Sequence, residues 1–255
     1  MSWKHISSSV TGRSHLDRNE KGQDYCLAHV VQYSDKEFFI GLAADGAGSS
    51  SDGGSGAKIA CDMTYKNILS TIREIKDLSL ISENDVINWI ISSRTSIEEH
   101  ANKNEKHLKD YACTLIGTLV GDDHSIFFQI GDGGIVTNSE NKYHPIFWPE
   151  QGEYLNITFF LSDDTFLEHI KITKIDTSPR EIALFTDGLQ NLVLSNSDKT
   201  AHTGFFKPLF EFLEKNPCNG FFNVSDQLSV FLQSNEINER TDDDKTLILA
   251  LRSMM

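Results

Sequence analysis

At four places in this chain an aspartate stands at the edge of an apolar run. Residues 38–44 lead into Asp45-Gly46-Ala47-Gly48, 125–130 into Gly131-Asp132-Gly133, and 181–185 into Thr186-Asp187-Gly188. Asp242-Asp243-Asp244 precedes the apolar stretch 246–251. A single Asp-Gly pair is ordinary turn chemistry, because Asp bonds its own backbone and Gly supplies positive φ. Several acidic strand boundaries in one chain are another matter. A sheet can gather them at one edge, where carboxylates repel one another unless cations neutralise them. Oxygen-only ligands suit hard ions such as Mg²⁺ or Mn²⁺ rather than zinc. Two such ions about 3.5–4 Å apart, sharing a carboxylate, turn water into a nucleophile against phosphorus. The chemistry these residues point to is metal-assisted hydrolysis, first of all of a phosphate ester.

The elements that must carry them follow from pattern. Period-2 or continuous apolar runs predict strands over 3–10, 24–33, 36–44, 112–120, 125–130, 135–138, 142–148, 157–161, 170–175, 181–185 and 246–251. Ser34-Asp35 joins two of these as a hairpin, and 135–138 with 142–148 reads as another. The polar stretch 11–23, with two glycines, reads as a loop. Helices are expected over 56–73, from Ser82 onward, over 205–213 and over 224–232. In the second of these, Ser82 and Asp85 have capping spacing, and Val86, Ile90 and Ile97 share a face widened by Trp89. Strands come in groups with helices in the middle and late, which suits an α+β sandwich better than regular βαβ alternation.

At 255 residues, 39% hydrophobic and 24% charged, the chain can bury a sizeable core, and one domain over 1–255 is the simpler organisation. No apolar run is long enough to span a bilayer and no signal-peptide core precedes the first strand, so a cytoplasmic, monomeric protein away from membranes is expected. The net charge of −14 argues against nucleic-acid backbones, which need basic patches. Cys26, Cys61, Cys113 and Cys218 are widely spaced, without a CxxC pair, and read as reduced thiols.

Other signals are weaker. Gly46 and Gly48 would need a third glycine at Ser51 to make a dinucleotide turn, and Lys58 follows Ala57, which breaks the phosphate-loop pattern. Ser55 between Gly54 and Gly56 resembles a nucleophile elbow but does not end a strand. The phenylalanines of 205–212 read as a helix core face.

Taken in order, Gln23-Asp24, Ala44-Asp45-Gly46-Ala47-Gly48, Cys113-Thr114-Leu115, Ile130-Gly131-Asp132-Gly133, Phe185-Thr186-Asp187-Gly188 and Asp243-Asp244-Lys245-Thr246 resemble the motifs of the metal-dependent protein phosphatases of type 2C, in a compact bacterial form. The resemblance spans nearly the whole chain. It implies a four-layer α-β-β-α sandwich of two mainly antiparallel sheets, with Mn²⁺ or Mg²⁺ at one end: two ions in a core site and room for a third. It implies hydrolysis of phosphoserine and phosphothreonine in phosphorylated proteins by a metal-bridged hydroxide, with Asp45, Asp187 and Asp243 as the catalytic set. By motif, Asp45 would bridge two metals, Gly46 would lend its carbonyl, Asp187 and Asp243 would each bind one ion, Asp132 a third, and Asp24 would support metal waters.

The departures fall on substrate handling. The family's phosphate-gripping arginine has no single counterpart, and His15, Arg13 and Arg18 compete for the role. Ala47 stands where some members carry a histidine that protonates the leaving group, and Gly134 stands near a missing arginine. Asp243-Asp244 replaces the usual Asp-Asn. Residues 145–178 fall where the family carries its flap, with 152–156 as a secondary candidate for touching substrate. The alternatives left standing are a catalytically weak phosphoprotein-binding module on the same fold, and a phosphatase of small metabolites.

Overall fold

The computed structural model describes residues 2–75, 77–140, 142–148, 158–195, 197–216 and 221–253. The first half contains β1 (Trp3–Val10), α1 (Arg13–Asp17), β2 (Tyr25–Tyr33), β3 (Lys36–Ala44), α2 (Gly53–Ile75) and α3 (Glu83–Lys103). Strands β4 (Leu115–Val120), β5 (Ser125–Ile130), β6 (Gly134–Ser139), β7 (Lys142–Pro145), β8 (Lys171–Ile175) and β9 (Glu181–Phe185) follow. Then come α4 (Asp187–Val193), the short β10 (Leu194–Ser195) and β11 (Thr200–Ala201), α5 (Thr203–Lys215), α6 (Phe221–Leu232), α7 (Asn235–Asn238) and β12 (Lys245–Arg252).

The strands form two antiparallel sheets, ordered β2-β3-β4-β5-β8 and β1-β12-β9-β6-β7-β11-β10. Alternation along the strands explains why two sheets stack with helices outside both. In β3, Phe38, Ile40, Leu42 and Ala44 face one core with Ala57, Ile68, Trp89, Ile90 and Ile97 of α2 and α3. Phe39 and Ala43 face the opposite way, into an inter-sheet core with Phe127, Ile182, Leu184, Ile248 and Ala250. In β12, Leu247, Leu249 and Leu251 instead meet Phe206, Phe210 and Leu213 of α5 and Leu228 and Leu232 of α6. Three apolar interfaces thus separate four layers, helix-sheet-sheet-helix. Each fully buried aliphatic or aromatic side chain contributes about 1.5–3 kcal/mol of burial. That surplus lets the fold carry the mutually repelling carboxylates described below.

The long helices begin and end for local reasons. Ser82 caps α3 through a capping box, with Asp85 Oδ2 accepting from the Ser82 backbone N–H at 2.7 Å and Ser82 Oγ accepting from Asp85 N at 3.3 Å. Helix α2 starts at Gly53, three residues before its expected start, where close quarters demand glycine. A Cβ on Gly56 would lie 2.1 Å from the Tyr111 carbonyl oxygen.

Several expectations change. The stretch 11–23 contains α1, which Leu16 N bonded to the Gly12 carbonyl at 3.0 Å helps to close. Expected strand 142–148 ends at Pro145, with one further ladder bond from Ile146 N to the Ile135 carbonyl at 2.8 Å. Residues 158–161 are not a strand, and helix α4 follows Asp187 where only a turn was read. The candidate flap contact at 152–156 and Cys218 lie outside the described residues. Cys26, Cys61 and Cys113 are free thiols, as read.

Strand register brings the acidic boundaries to one end of the sandwich. Tyr25 pairs with Ala44, which sets Asp24 opposite Asp45. Leu115 pairs with Ile130, Gly134 with Phe185, and Leu247 with Phe185, so the residues flanking β4, β5, β6, β9 and β12 open on the same edge.

Candidate metal centre

Carboxylate oxygens of Asp45, Asp132 and Asp187 all lie within 4.8 Å of one another. That spacing lets one small cation, or a pair sharing a carboxylate, touch all three. Each is held by its own turn. The Asp45 backbone is clamped both ways by Thr114, whose Oγ1 accepts from Asp45 N at 2.9 Å and whose N–H donates to the Asp45 carbonyl at 2.8 Å. Asp132 sits between Gly131 (φ 88°) and Gly133 (φ 84°), a left-handed pair that only glycine adopts cheaply. Thr158 Oγ1 donates to Asp132 Oδ2 at 2.5 Å, and the Gln129 side-chain amide donates to the Gly131 carbonyl at 2.9 Å. Asp187 opens α4, and the next residue has no room for a side chain, since a Cβ on Gly188 would lie 2.0 Å from the Asp244 carbonyl oxygen.

Behind this triplet a hydroxyl bracket holds Asp24. Thr186 Oγ1 and Thr246 Oγ1 donate to Asp24 Oδ2 at 2.7 and 2.8 Å. Thr186 Oγ1 also accepts from Thr246 N at 3.0 Å, which ties β9 to β12 at the same point. The other Asp24 oxygen, Oδ1, is buried with no hydrogen-bond partner among the described residues.

The electrostatics follow from this crowding. Burial, then the charges of Asp24 and Asp187, push the Asp45 carboxyl up to about 11. Burial, then Asp132 and Asp243, raise Asp187 to about 8. Asp24 is raised by burial to about 6 against the lowering effect of its two threonine donors, and burial also raises Asp132. Four carboxyls held above their ordinary range by burial and mutual repulsion are what a site built around absent positive charge looks like. The all-oxygen donor set and the orphaned Asp24 oxygen fit a hard divalent cation.

The expected site residues are distributed unevenly. Asp132, expected at a third position, is inside the tight triplet. Asp243 is exposed at its rim, and its charge raises both Asp132 and Asp187. With its nitrogen turned inward, the Gln23 side-chain amide donates to the Gly46 carbonyl at 3.1 Å and the Ala47 carbonyl at 2.9 Å. A carbonyl has two lone pairs, so Gly46 keeps one for a second partner.

The three cations of the 11–23 stretch part company. His15 is buried rather than solvated, with Nδ1 3.0 Å from Asp244 Oδ1 and Nε2 enclosed without a partner among the described residues. Arg13 donates to the Asn238 carbonyl at 2.6 Å, and Arg18 pairs with Glu20 at 2.7 Å, both at the surface. Asp244 is a hub rather than a ligand, also accepting from Gly12 N at 2.7 Å and Gln23 N at 2.6 Å. The supporting threonines 114, 158, 186 and 246 had no assigned role from sequence. Three of them do sit inside the acidic motifs or beside a paired strand start, and Thr158 gave no signal at all.

Carboxylates gathered at one end of a stacked α-β-β-α sandwich define the class, a metallohydrolase centre at the mouth of two sheets. Known proteins narrow it. The sequence pattern of Protein phosphatase 2C matches residues 11–233. Serine/threonine-protein phosphatase 3 of Escherichia coli (strain K12) is 34% identical over 254 residues, covering 98% of this chain and 99% of that protein. Among solved structures, the serine/threonine phosphatase Stp1 from Staphylococcus aureus shares the fold at a TM-score of 0.63 and 18% identity, over 100% of this chain and 96% of that one. The S. agalactiae serine/threonine phosphatase does so at 0.59 and 16% identity, over 99% and 100%. The chain belongs to the protein phosphatase 2C family, a metal-dependent family.

Proposed function

We propose that this protein is a metal-dependent phosphatase that hydrolyses phosphoserine and phosphothreonine esters in phosphorylated proteins. The observation that carries this reading is the Asp45–Asp132–Asp187 triplet, three carboxylates within 4.8 Å of one another in a chain of this family. These residues would hold Mn²⁺ or Mg²⁺, two ions with room for a third, which when bound would supply an activated water and positive charge for the phosphoryl group.

The chain's own residues do the positioning. Asp45 is the shared ligand, fixed through its backbone by Thr114. Asp187 would share the core with it, Asp132 inside the triplet and Asp243 at its rim would each take a further metal position, and Gly46 would offer its free carbonyl lone pair. Asp24, locked by Thr186 and Thr246 and set opposite Asp45, would support the waters on the metals. Arg13 and Arg18, held only by surface partners, are the cations of the loop that can swing to a phosphate, whereas buried His15 anchors Asp244. Ala47 carries no group that could protonate the leaving group.

Among the described residues no helix is long and apolar enough to cross a membrane. The reading assigns the protein to phosphoproteins of the cytoplasm, acting as a monomeric catalytic domain over 1–255. The test is hydrolysis of p-nitrophenyl phosphate and a phosphothreonine peptide with Mn²⁺ or Mg²⁺, repeated in EDTA and in Asp45→Asn. Turnover should need the metal and vanish in the variant. Activity that survives chelation overturns the reading.

A further inference from the structure

A cleft of about 530 Å³ opens between α4, the start of α5 and α7. Its floor is apolar, made by Leu192, Phe205 and Ile237, and its wall carries Arg240. Two of these elements continue directly into the metal centre. Asn191, on the cleft wall, follows Asp187 by four residues in α4, one helical turn along the same face. Arg240 precedes Asp243 by three residues.

The α7 wall is also fastened to that centre. Buried Lys245 donates from Nζ to Asn238 Oδ1 at 3.0 Å and to the Asp243 carbonyl at 3.2 Å. Arg13 takes the Asn238 backbone carbonyl from the other side. Lys245 therefore ties the α7 end of the cleft to the Asp243 backbone.

Charge decides what it takes. The Arg240 guanidinium is exposed and makes no hydrogen bond or ion pair among the described residues, an unusual state in a chain of net charge −14. Glu236, four residues earlier and on the same cleft, is spaced to pair with it but does not come within ion-pair distance. His202, at the head of α5, also lines the cleft. We propose that this cleft is a specificity subsite that seats an acidic side chain flanking the phosphorylated residue of a protein substrate, with its carboxylate on Arg240. The proposal rests on the phosphatase reading and deepens it by naming the substrate sequence class.

Space at the site supplies an independent handle. A Cβ on Gly204, one of the residues lining the cleft, would meet nothing within 4 Å, so a side chain can be introduced there without a backbone clash at Cβ. The experiment compares kcat/KM on three phosphothreonine peptides that differ only in carrying acidic, neutral or basic flanking residues, with p-nitrophenyl phosphate as a substrate too small to reach the cleft. Wild type should favour the acidic peptide over the basic one by about fivefold, the scale of one exposed ion pair. Arg240→Glu should reverse that order, and Gly204→Trp should erase it, both with p-nitrophenyl phosphate turnover unchanged. The same ranking in wild type and Arg240→Glu, or a ranking set by apolar rather than charged neighbours, overturns the subsite. Absence of metal-dependent p-nitrophenyl phosphate turnover in wild type overturns the phosphatase reading itself, and the two failures are told apart by that substrate.

Discussion

Adding Mn²⁺ to the metal-free protein should expel protons, and the number is set by the crowded carboxyls. A carboxylate must be ionised to bind a cation, so metal binding releases whatever protons the empty site holds. With Asp45 raised to about 11 and Asp187 to about 8, both are neutral at about pH 7, while Asp24, raised to about 6, is mostly ionised. Binding at that pH then releases about two protons. At about pH 9 Asp187 has already ionised and the number drops to about one. The sign for stability runs the same way. All these folded-state values lie above the ordinary 3.8, so the metal-free fold binds more protons than the unfolded chain. The stability that these three carboxyls contribute is present in full at low pH and is lost as pH rises from about 4 through those values, a loss that bound metal offsets. Isothermal titration calorimetry in buffers of different ionisation enthalpy counts the protons at each pH. A release near zero at pH 7, or one that stays level to pH 9, refutes the account of Asp45 and Asp187 as carboxyls neutralised by mutual repulsion.

Asp45→Asn should lose at least about 100-fold in phosphatase turnover, the upper end of what even outer contacts of a metal site cost. The same variant should melt higher than wild type in EDTA, because the amide needs no proton to be buried. Thr246→Val strips Asp24 Oδ2 of one of its two hydroxyl donors, and should weaken Mn²⁺ affinity about 10–100-fold with near-native far-ultraviolet dichroism, read by titration of metal-dependent activity. Gly188→Ala drives a methyl into the Asp244 carbonyl and should destabilise the fold by about 1–3 kcal/mol in urea unfolding; an unchanged midpoint would mean that α4 moves freely on β12.

The strands and their order were readable because their apolar residues alternate or run continuously, and α3 because Ser82 and Asp85 announce its start. Asp45, Asp132 and Asp187 were readable as acids at strand ends. Their convergence was not, because it depends on the register that sets Gly134 and Leu247 against Phe185 across two long sequence gaps. Helix α1 was hidden in a polar stretch whose order comes from Asp242 and Asp244 far along the chain, a tertiary cause invisible to local pattern. The same contact buries His15, a residue that composition alone places in a solvated loop. Thr158 escaped notice because a lone threonine carries no pattern until Asp132 is beside it.

The grip of Asp244 on Gly12, His15 and Gln23 has a consequence in time. Those partners are separated from it by 232, 229 and 221 residues. During synthesis at about 5–20 residues per second, the loop that carries Arg13 and Arg18 exists for most of the chain's elongation without the carboxylate that closes it. Strand β1 waits equally for β12, its only sheet neighbour among the described residues. A nascent chain therefore has neither a fixed loop nor an Asp243 at the rim until its last strand is made.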